Sequence, residues 1–174
     1  MRDQIMSKPD MRMVPSWVPE AALHYLAHIE SGMPIRALAR HSGRHASTVL
    51  RQIRACETRR DDLLIDEALR RLGQRVGGAK KAGSPAEEAN MTVQTNSERP
   101  EDDSGTLSNA RLQAEARRVL RRLCETGALL AVSADMDKAV VVRDGGSGQL
   151  SRTAVVDREV AEALALKGWI ACED

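Results

Sequence analysis

Apolar residues recur every three or four positions along most of residues 15–72, the spacing of one face of an amphipathic helix. Prolines, glycines and acidic residues interrupt this spacing at points typical of helix starts and stops. The predicted helices run from Pro19 to Ser31, from Pro34 to Gly43, from Ala46 to Thr58 and from Asp62 to Leu72, the last capped by Asp61 or Asp62. Four short helices so close together predict a compact helical bundle.

A second patterned region begins at residue 110. The stretch ARLQAEARRVLRRLCETGA predicts a helix with one apolar face, and the β-forming runs ALLAVS (128–133) and KAVVVR (138–143) predict two strands. A glycine-rich loop, DGGSGQ, follows. A further helix is expected from Asp157 to Lys167, and WIAC (169–172) suggests a terminal strand. Residues 110–174 therefore predict a small α+β domain, winged-helix-like in its order of elements.

Residues 73–109 differ in composition, being rich in Gly, Ala, Ser, Pro and acidic residues and poor in large apolar side chains. Such a segment buries too little apolar surface to offset the entropy lost on ordering. From Gly77 to Asn109 there are six acidic and three basic residues. We therefore predict a disordered, acidic linker. Because the whole chain carries a net charge of only +1, positive charge must be concentrated elsewhere.

That concentration lies in PIRALARHSGRHASTVLRQIRACETRRDD, residues 34–62. Seven arginines stand against one glutamate between positions 36 and 60. Two predicted helices meet here, and Ala39, Gly43 and Val49 have the spacing of a helix-turn-helix. These positions call for a small residue at the helix crossing, a glycine for a left-handed turn, and an apolar residue facing the core. The fold class we expect is mainly α: an N-terminal helix-turn-helix bundle, a disordered linker and the small C-terminal α+β domain.

On the third helix, about 100° per residue turns Val49, Ile53 and Cys56 inward and polar residues outward. A major groove about 12 Å wide accepts one helix, and arginine donates two hydrogen bonds to guanine. The residues expected to contact DNA are Arg36, Arg40, Arg44, His45, Ser47, Thr48, Arg51 and Arg54. The alternative is that this basic helical face is simply hydrated.

These predicted contacts divide by role. Arg51 is the leading base reader, with His45 and Ser47 near the start of the helix. The residues expected to hold phosphates are Arg36, Arg40, Arg44 and Arg54. Arg59 and Arg60 lie beyond the groove and are assigned to the next helix junction.

No other residue pattern predicts a chemical site. Four histidines lack a suitably spaced Cys pair or Glu, so they are interpreted as surface or DNA-proximal residues rather than zinc ligands: His24, His28, His41 and His45. Three carboxylates that could form an acid/base or metal cluster lack a partner nucleophile or histidine in their unit: Asp135, Asp137 and Asp144. Asp135 and Asp137 fit a turn equally well. We expect no enzymatic activity, metal or cofactor. Four arginines of the helix after the linker stay open between hydration, DNA-backbone contact and protein contact: Arg117, Arg118, Arg121 and Arg122.

The N-terminus has scattered charges and prolines without an apolar leader segment, and no long apolar run follows. The three cysteines are odd in number and far apart, which suits a reducing compartment. We therefore expect a cytoplasmic, nucleoid-associated protein without membrane segments.

The two patterned regions together resemble a known family. PIRALARHSGRHASTVLRQIRACETRRDDLLIDEAL is similar to the N-terminal helix-turn-helix of a family of alphaproteobacterial regulators. VLRRLCETGALLAVSADMDKAVVVRDG with RTAVVDREVAEALALKGWIAC is similar to that family's companion domain of unknown function. Members include activators of gene transfer agent gene clusters. Gene transfer agents are phage-like particles that package host DNA. The resemblance implies promoter binding by the N-terminal part and contact with RNA polymerase by other parts. The family's domain continues into a strand and a TxxGR helix that are absent before Asp174, so we expect a naturally short, a split or a truncated version of that domain.

These features predict a sequence-specific transcriptional regulator that binds double-stranded DNA. By the resemblance, it is an activator of phage-like or gene transfer agent genes acting with RNA polymerase. A single helix-turn-helix reads few base pairs, so a homodimer or a helper protein is expected. Two alternatives are a DNA-targeting accessory of a recombinase or transposase, and a module whose helix-turn-helix contacts proteins.

Overall fold

The computed structural model describes residues 14–81, 107–133, 135–146 and 148–171. The helices are α1 (Glu20–Ile29), α2 (Ile35–Ser42), α3 (Ala46–Thr58), α4 (Leu63–Lys81), α5 (Asn109–Leu123) and α6 (Arg158–Leu166), and the strands are β1 (Ala128–Val132), β2 (Lys138–Asp144) and β3 (Leu150–Asp157). The prediction of a mainly helical chain, with a helical N-terminal part and a small α+β C-terminal part, is confirmed. No helix within the described ranges is both long and apolar enough to cross a bilayer.

The N-terminal helices form where the sequence predicts them. Helix α3 packs against both α1 and α2, and α4 packs against α1. The side chain of Asp62 caps α4, because its Oδ1 accepts hydrogen bonds from the backbone N–H groups of Leu64 (2.9 Å) and Ile65 (3.3 Å). The four helices surround an apolar core that holds α3 in place.

Helix α4 is longer than predicted, since it continues past Leu72 to Lys81. Val76 in this extension is buried, with 7% of its surface exposed. Gly73 does not end the helix, and a Cβ there would lie 2.8 Å from Oε1 of the exposed Glu30 side chain, which is free to move aside. Residues 73–81 are therefore helical, and residues 82–106 of the predicted linker lie outside the described residues.

The sheet is an antiparallel meander in the order β1-β2-β3. Its inner face packs on α5 and α6. β1 and β2 were predicted, but β3 was not, although Thr153, Val155 and Val156 are β-forming residues. α6 begins at Arg158 directly after β3, so no loop residues mark the end of this strand in the sequence.

The terminal strand predicted in WIAC is wrong over its described residues. Gly168 ends α6 in a left-handed conformation (φ +74°), and the Trp169 N–H donates to Leu164 O at 2.9 Å. The chain therefore turns back on α6, where a strand was expected.

The helical and α+β parts share one hydrophobic core within the described residues, and α4 packs against α6. At this contact Glu162, only 2% exposed, accepts from Arg158 Nε at 3.1 Å and lies 3.4 Å from Arg71 Nη1. Burial raises the pKa of the Glu162 carboxyl, and the two guanidinium groups partly offset this effect. The junction thus contains a buried carboxylate supported from both parts of the chain.

Candidate nucleic-acid interface

Helices α2 and α3 are joined by a tight turn at Gly43. Gly43 adopts φ +65° and ψ +22°, and its N–H and that of Arg44 both donate to Ala39 O. No atom lies within 4 Å of a Cβ placed on Gly43, so the requirement for glycine comes from the backbone conformation alone. Ala39 and Val49 are both buried, with Val49 fully enclosed, as the spacing of this triplet predicted.

Helix α3 has one buried and one exposed face. Its buried residues are Val49, Ile53 and Cys56, as predicted. The exposed polar face comprises Ser47, Arg51, Arg54 and Thr58, which fall within an arc of about 60° at about 100° per residue. A narrow polar face on a well-packed helix is the geometry needed to enter a groove.

Four arginines near this face are unengaged. All four are exposed, and their guanidinium groups form no hydrogen bond or ion pair to another described residue: Arg36, Arg40, Arg51 and Arg54. Guanidinium groups without an internal partner are available to carbonyl, base or phosphate acceptors. The structure therefore leaves free charge on α2 and α3, where the sequence placed it.

Arg44 differs from these four because Glu20 holds it. Its Nη2 lies 3.0 Å from Glu20 Oε2, and its Nε donates to Glu20 Oε1 at 3.3 Å. Both side chains are exposed, so the pair is weak and can exchange with other partners. The predicted phosphate contact of Arg44 would have to displace Glu20.

His45 and Ser47 form the cap of α3. His45 Nδ1 lies 2.8 Å from Ser47 Oγ and accepts the Ser47 backbone N–H at 3.4 Å. In the neutral ring this arrangement leaves the Nε2–H as the donor. Thr48 is only partly exposed, so of the predicted contacts it is the least accessible.

Two histidines predicted at the surface have structural roles instead. His24 is only 5% exposed, and its Nδ1 donates to Gln52 Oε1 at 2.7 Å, joining α1 to α3. The surface interpretation of His24 is therefore wrong. His28 Nδ1 donates to Met33 O at 2.9 Å, whereas His41 is exposed. Across the described ranges, no group of three or more His, Cys, Asp or Glu side chains is placed to hold a metal ion.

Arg59 and Arg60 lie at the helix junction, as predicted. The Arg59 guanidinium donates to Ala165 O at 2.5 Å at the end of α6. Arg60 donates to Asp66 Oδ1 at 2.6 Å and to Tyr25 Oη at 3.1 Å. Neither arginine therefore belongs to the free charge of α2 and α3.

Three of the five arginines of α5 have partners, including Arg111, whose Nη2 donates to Asp157 Oδ2 at 3.0 Å. Arg118 donates to Glu115 Oε2 and to Val155 O, and Arg122 donates to Glu125. Arg117 and Arg121 are exposed and have no such partner among the described residues. The Asp144 carboxylate accepts the Gly146 N–H at 2.8 Å, a local contact within the loop after β2.

The chain was also compared with known proteins. No protein-family model matches it, and no curated protein and no solved structure matches it either. The family resemblance of the two patterned regions stays an expectation, and the functional conclusion depends on the residues themselves.

Proposed function

We propose that this protein is a sequence-specific DNA-binding transcriptional regulator in which α2 and α3 act as a helix-turn-helix and α3 enters the major groove. The observation that carries the proposal is the exposed face of α3, Ser47, Arg51, Arg54 and Thr58, opposite a fully packed inner face. A hydrated helix would tolerate the same charges. It would not need the buried Ala39, the left-handed Gly43 and the enclosed Val49, which together hold α2 and α3 in one arrangement.

Arg51 is assigned to base reading because it lies on this face in the first half of α3, and its side chain has no partner among the described residues. A bidentate arginine–guanine contact contributes about 1–3 kcal/mol of discrimination. Thr58 is a poor base reader, since its hydroxyl already donates to Arg54 O at 3.0 Å. Specific contacts are therefore concentrated in the first half of α3.

Arg36, Arg40 and Arg54 are assigned to phosphates, and Arg44 joins them once Glu20 is displaced. Each phosphate neutralised contributes about −0.9 to the slope of log affinity against log salt. Three such contacts predict an affinity loss of about 40-fold between about 50 mM and about 200 mM salt. Replacing one of them by alanine should flatten this slope by about one unit without changing sequence preference.

That the protein activates transcription, and does not repress it, is inferred from the family resemblance alone. That resemblance assigns activation of phage-like or gene transfer agent genes, with the α+β part contacting RNA polymerase. The exposed, unpaired Arg117 and Arg121 on α5 support a protein-contact role for that part.

The proposal is tested by mapping chromosomal occupancy and transcripts after induction of the wild type and of Arg51→Ala. Arg117→Ala is the matched control, because it removes the same charge from an exposed helix outside α2 and α3. Promoter occupancy that is lost in Arg51→Ala and kept in Arg117→Ala, together with increased downstream RNA in the wild type, supports an activator. Occupancy at recombination ends without transcript change supports the recombinase accessory instead. Absence of enrichment contradicts both.

A further inference from the structure

The two edges of the sheet differ in how they are protected. On the β3 side, the Arg118 guanidinium donates to Val155 O at 2.8 Å, and the β2–β3 pairing is interrupted by a register shift at Val141/Val142. Such features hinder an edge strand from pairing with a strand of another chain. β1 has none of them: Ala-Leu-Leu-Ala-Val contains no charge, no proline and no register shift.

The hydrogen-bonding direction along β1 follows from one contact. Asp144 N–H donates to Gly127 O at 3.0 Å, and in an antiparallel ladder such bonded positions alternate. Leu129 and Ala131 therefore direct their backbone groups toward β2. Leu130 and Val132 direct theirs away from the sheet, toward an edge with no strand beside it among the described residues.

We propose that β1 is a self-association edge, where it pairs antiparallel with β1 of a second copy about a two-fold axis at Leu130. In this register Leu130 opposes the partner's Leu130, and Leu129 opposes the partner's Ala131. The two chains exchange four main-chain hydrogen bonds, two between the Leu130 residues and two from Val132 N–H to the partner's Ala128 O. The product is a continuous six-stranded sheet.

Side-chain size and charge fit a second copy. Leu129, 53% exposed, faces the partner's Ala131 on the solvent side of the sheet. The two-fold axis therefore places a large side chain opposite a small one at two equivalent positions. At each end of β1, Glu125 pairs with both Arg122 and Arg143, so it brings no unpaired negative charge to the contact. No like charges oppose each other along β1 itself.

The size of the contact sets its strength. A five-residue edge covers less than the roughly 800 Å² per partner of a standard interface, so the dimer should be weak and concentration-dependent. Self-association does not depend on DNA binding. It would nevertheless present two α2–α3 units in one complex.

Sedimentation equilibrium of the full chain from about 1 μM to about 200 μM tests the proposal, since this range covers weak interfaces. Wild type should pass from monomer to dimer. Leu129→Glu and Ala131→Lys should each weaken the dimer about tenfold or more, because each places a lone charge at the contact. An equimolar mixture of the two variants should recover dimer close to the wild-type level, because Glu at 129 then faces Lys at 131 of the other chain.

Leu150→Lys is the matched control, because Leu150 is 60% exposed on β3, the opposite edge strand. It should dimerise as wild type does, and circular dichroism should show all three variants folded. A wild type that stays monomeric throughout the range overturns the proposal. So does an Ala131→Lys dimer as tight as wild type, or a mixture that does not recover.

Discussion

The substitution Gly43→Ala tests the left-handed backbone conformation of the turn between α2 and α3, because it predicts a loss of stability of defined size. Gly43 has φ +65°, where a side chain costs about 1–2 kcal/mol. Alanine also restricts the unfolded chain, which returns about 0.4–1 kcal/mol. No atom lies within 4 Å of the added Cβ, so no steric cost is added. The expected net loss is about 1 kcal/mol, or about 2–4 °C in Tm for a chain of this size.

Two other glycine-to-alanine variants serve as references for this loss. The Tm of each variant is measured by thermal unfolding followed by circular dichroism. Gly145 has neither a left-handed φ nor a neighbour within 4 Å of an added Cβ, so Gly145→Ala should not destabilise the protein. Gly127 has φ +73° and Asp144 O at 3.2 Å from the added Cβ, so Gly127→Ala should cost more than Gly43→Ala. If Gly43→Ala were as stable as Gly145→Ala, the left-handed turn between α2 and α3 would be refuted.

The remaining predictions concern charged residues. Arg158→Ala leaves the buried Glu162 with only Arg71 and should cost about 3–5 kcal/mol in urea unfolding; a loss below 1 kcal/mol would argue against a buried charged pair. Burial raises the pKa of the Glu162 carboxyl, so the protonated form favours the folded state. This contribution to the free energy of unfolding is fully present below the ordinary carboxyl pKa of 4.5 and is lost as pH rises through the folded-state pKa. Glu162→Gln should therefore gain stability relative to wild type between about pH 4 and about pH 8 in urea titrations, and a constant difference would contradict this. Glu20→Gln frees Arg44 from a pair worth about 0.2–1 kcal/mol and should tighten DNA binding up to about fivefold at low salt; unchanged or weaker binding would remove Arg44 from the interface.

Local features were predictable from the sequence. The burial of Val49, Ile53 and Cys56 follows from helical periodicity, and the cap by Asp62 follows from the residue types at a helix start. The glycine at the α2–α3 turn is likewise a local requirement of the backbone. These features depend on neighbours a few positions apart, which sequence spacing describes well.

Features that depend on distant partners were not predictable. Glu20 and Gln52 become the partners of Arg44 and His24 only after α1 packs beside α2 and α3, so neither contact has a sequence signal. The extension of α4 past Leu72 includes Val76, whose burial is a tertiary feature that the sequence does not show. Composition alone assigned that segment to the linker.

The central claim, that the exposed face of α3 reads DNA, is tested most directly by fluorescence anisotropy. The measurement compares wild type, Arg51→Ala and Arg117→Ala on a promoter fragment found by occupancy mapping, with circular dichroism as a check on helicity. We predict that Arg51→Ala loses about 1–3 kcal/mol, or about 5- to 150-fold in affinity, whereas Arg117→Ala stays within about twofold of wild type. Equal affinities for all three proteins, or equal losses in both variants, would contradict base reading by Arg51.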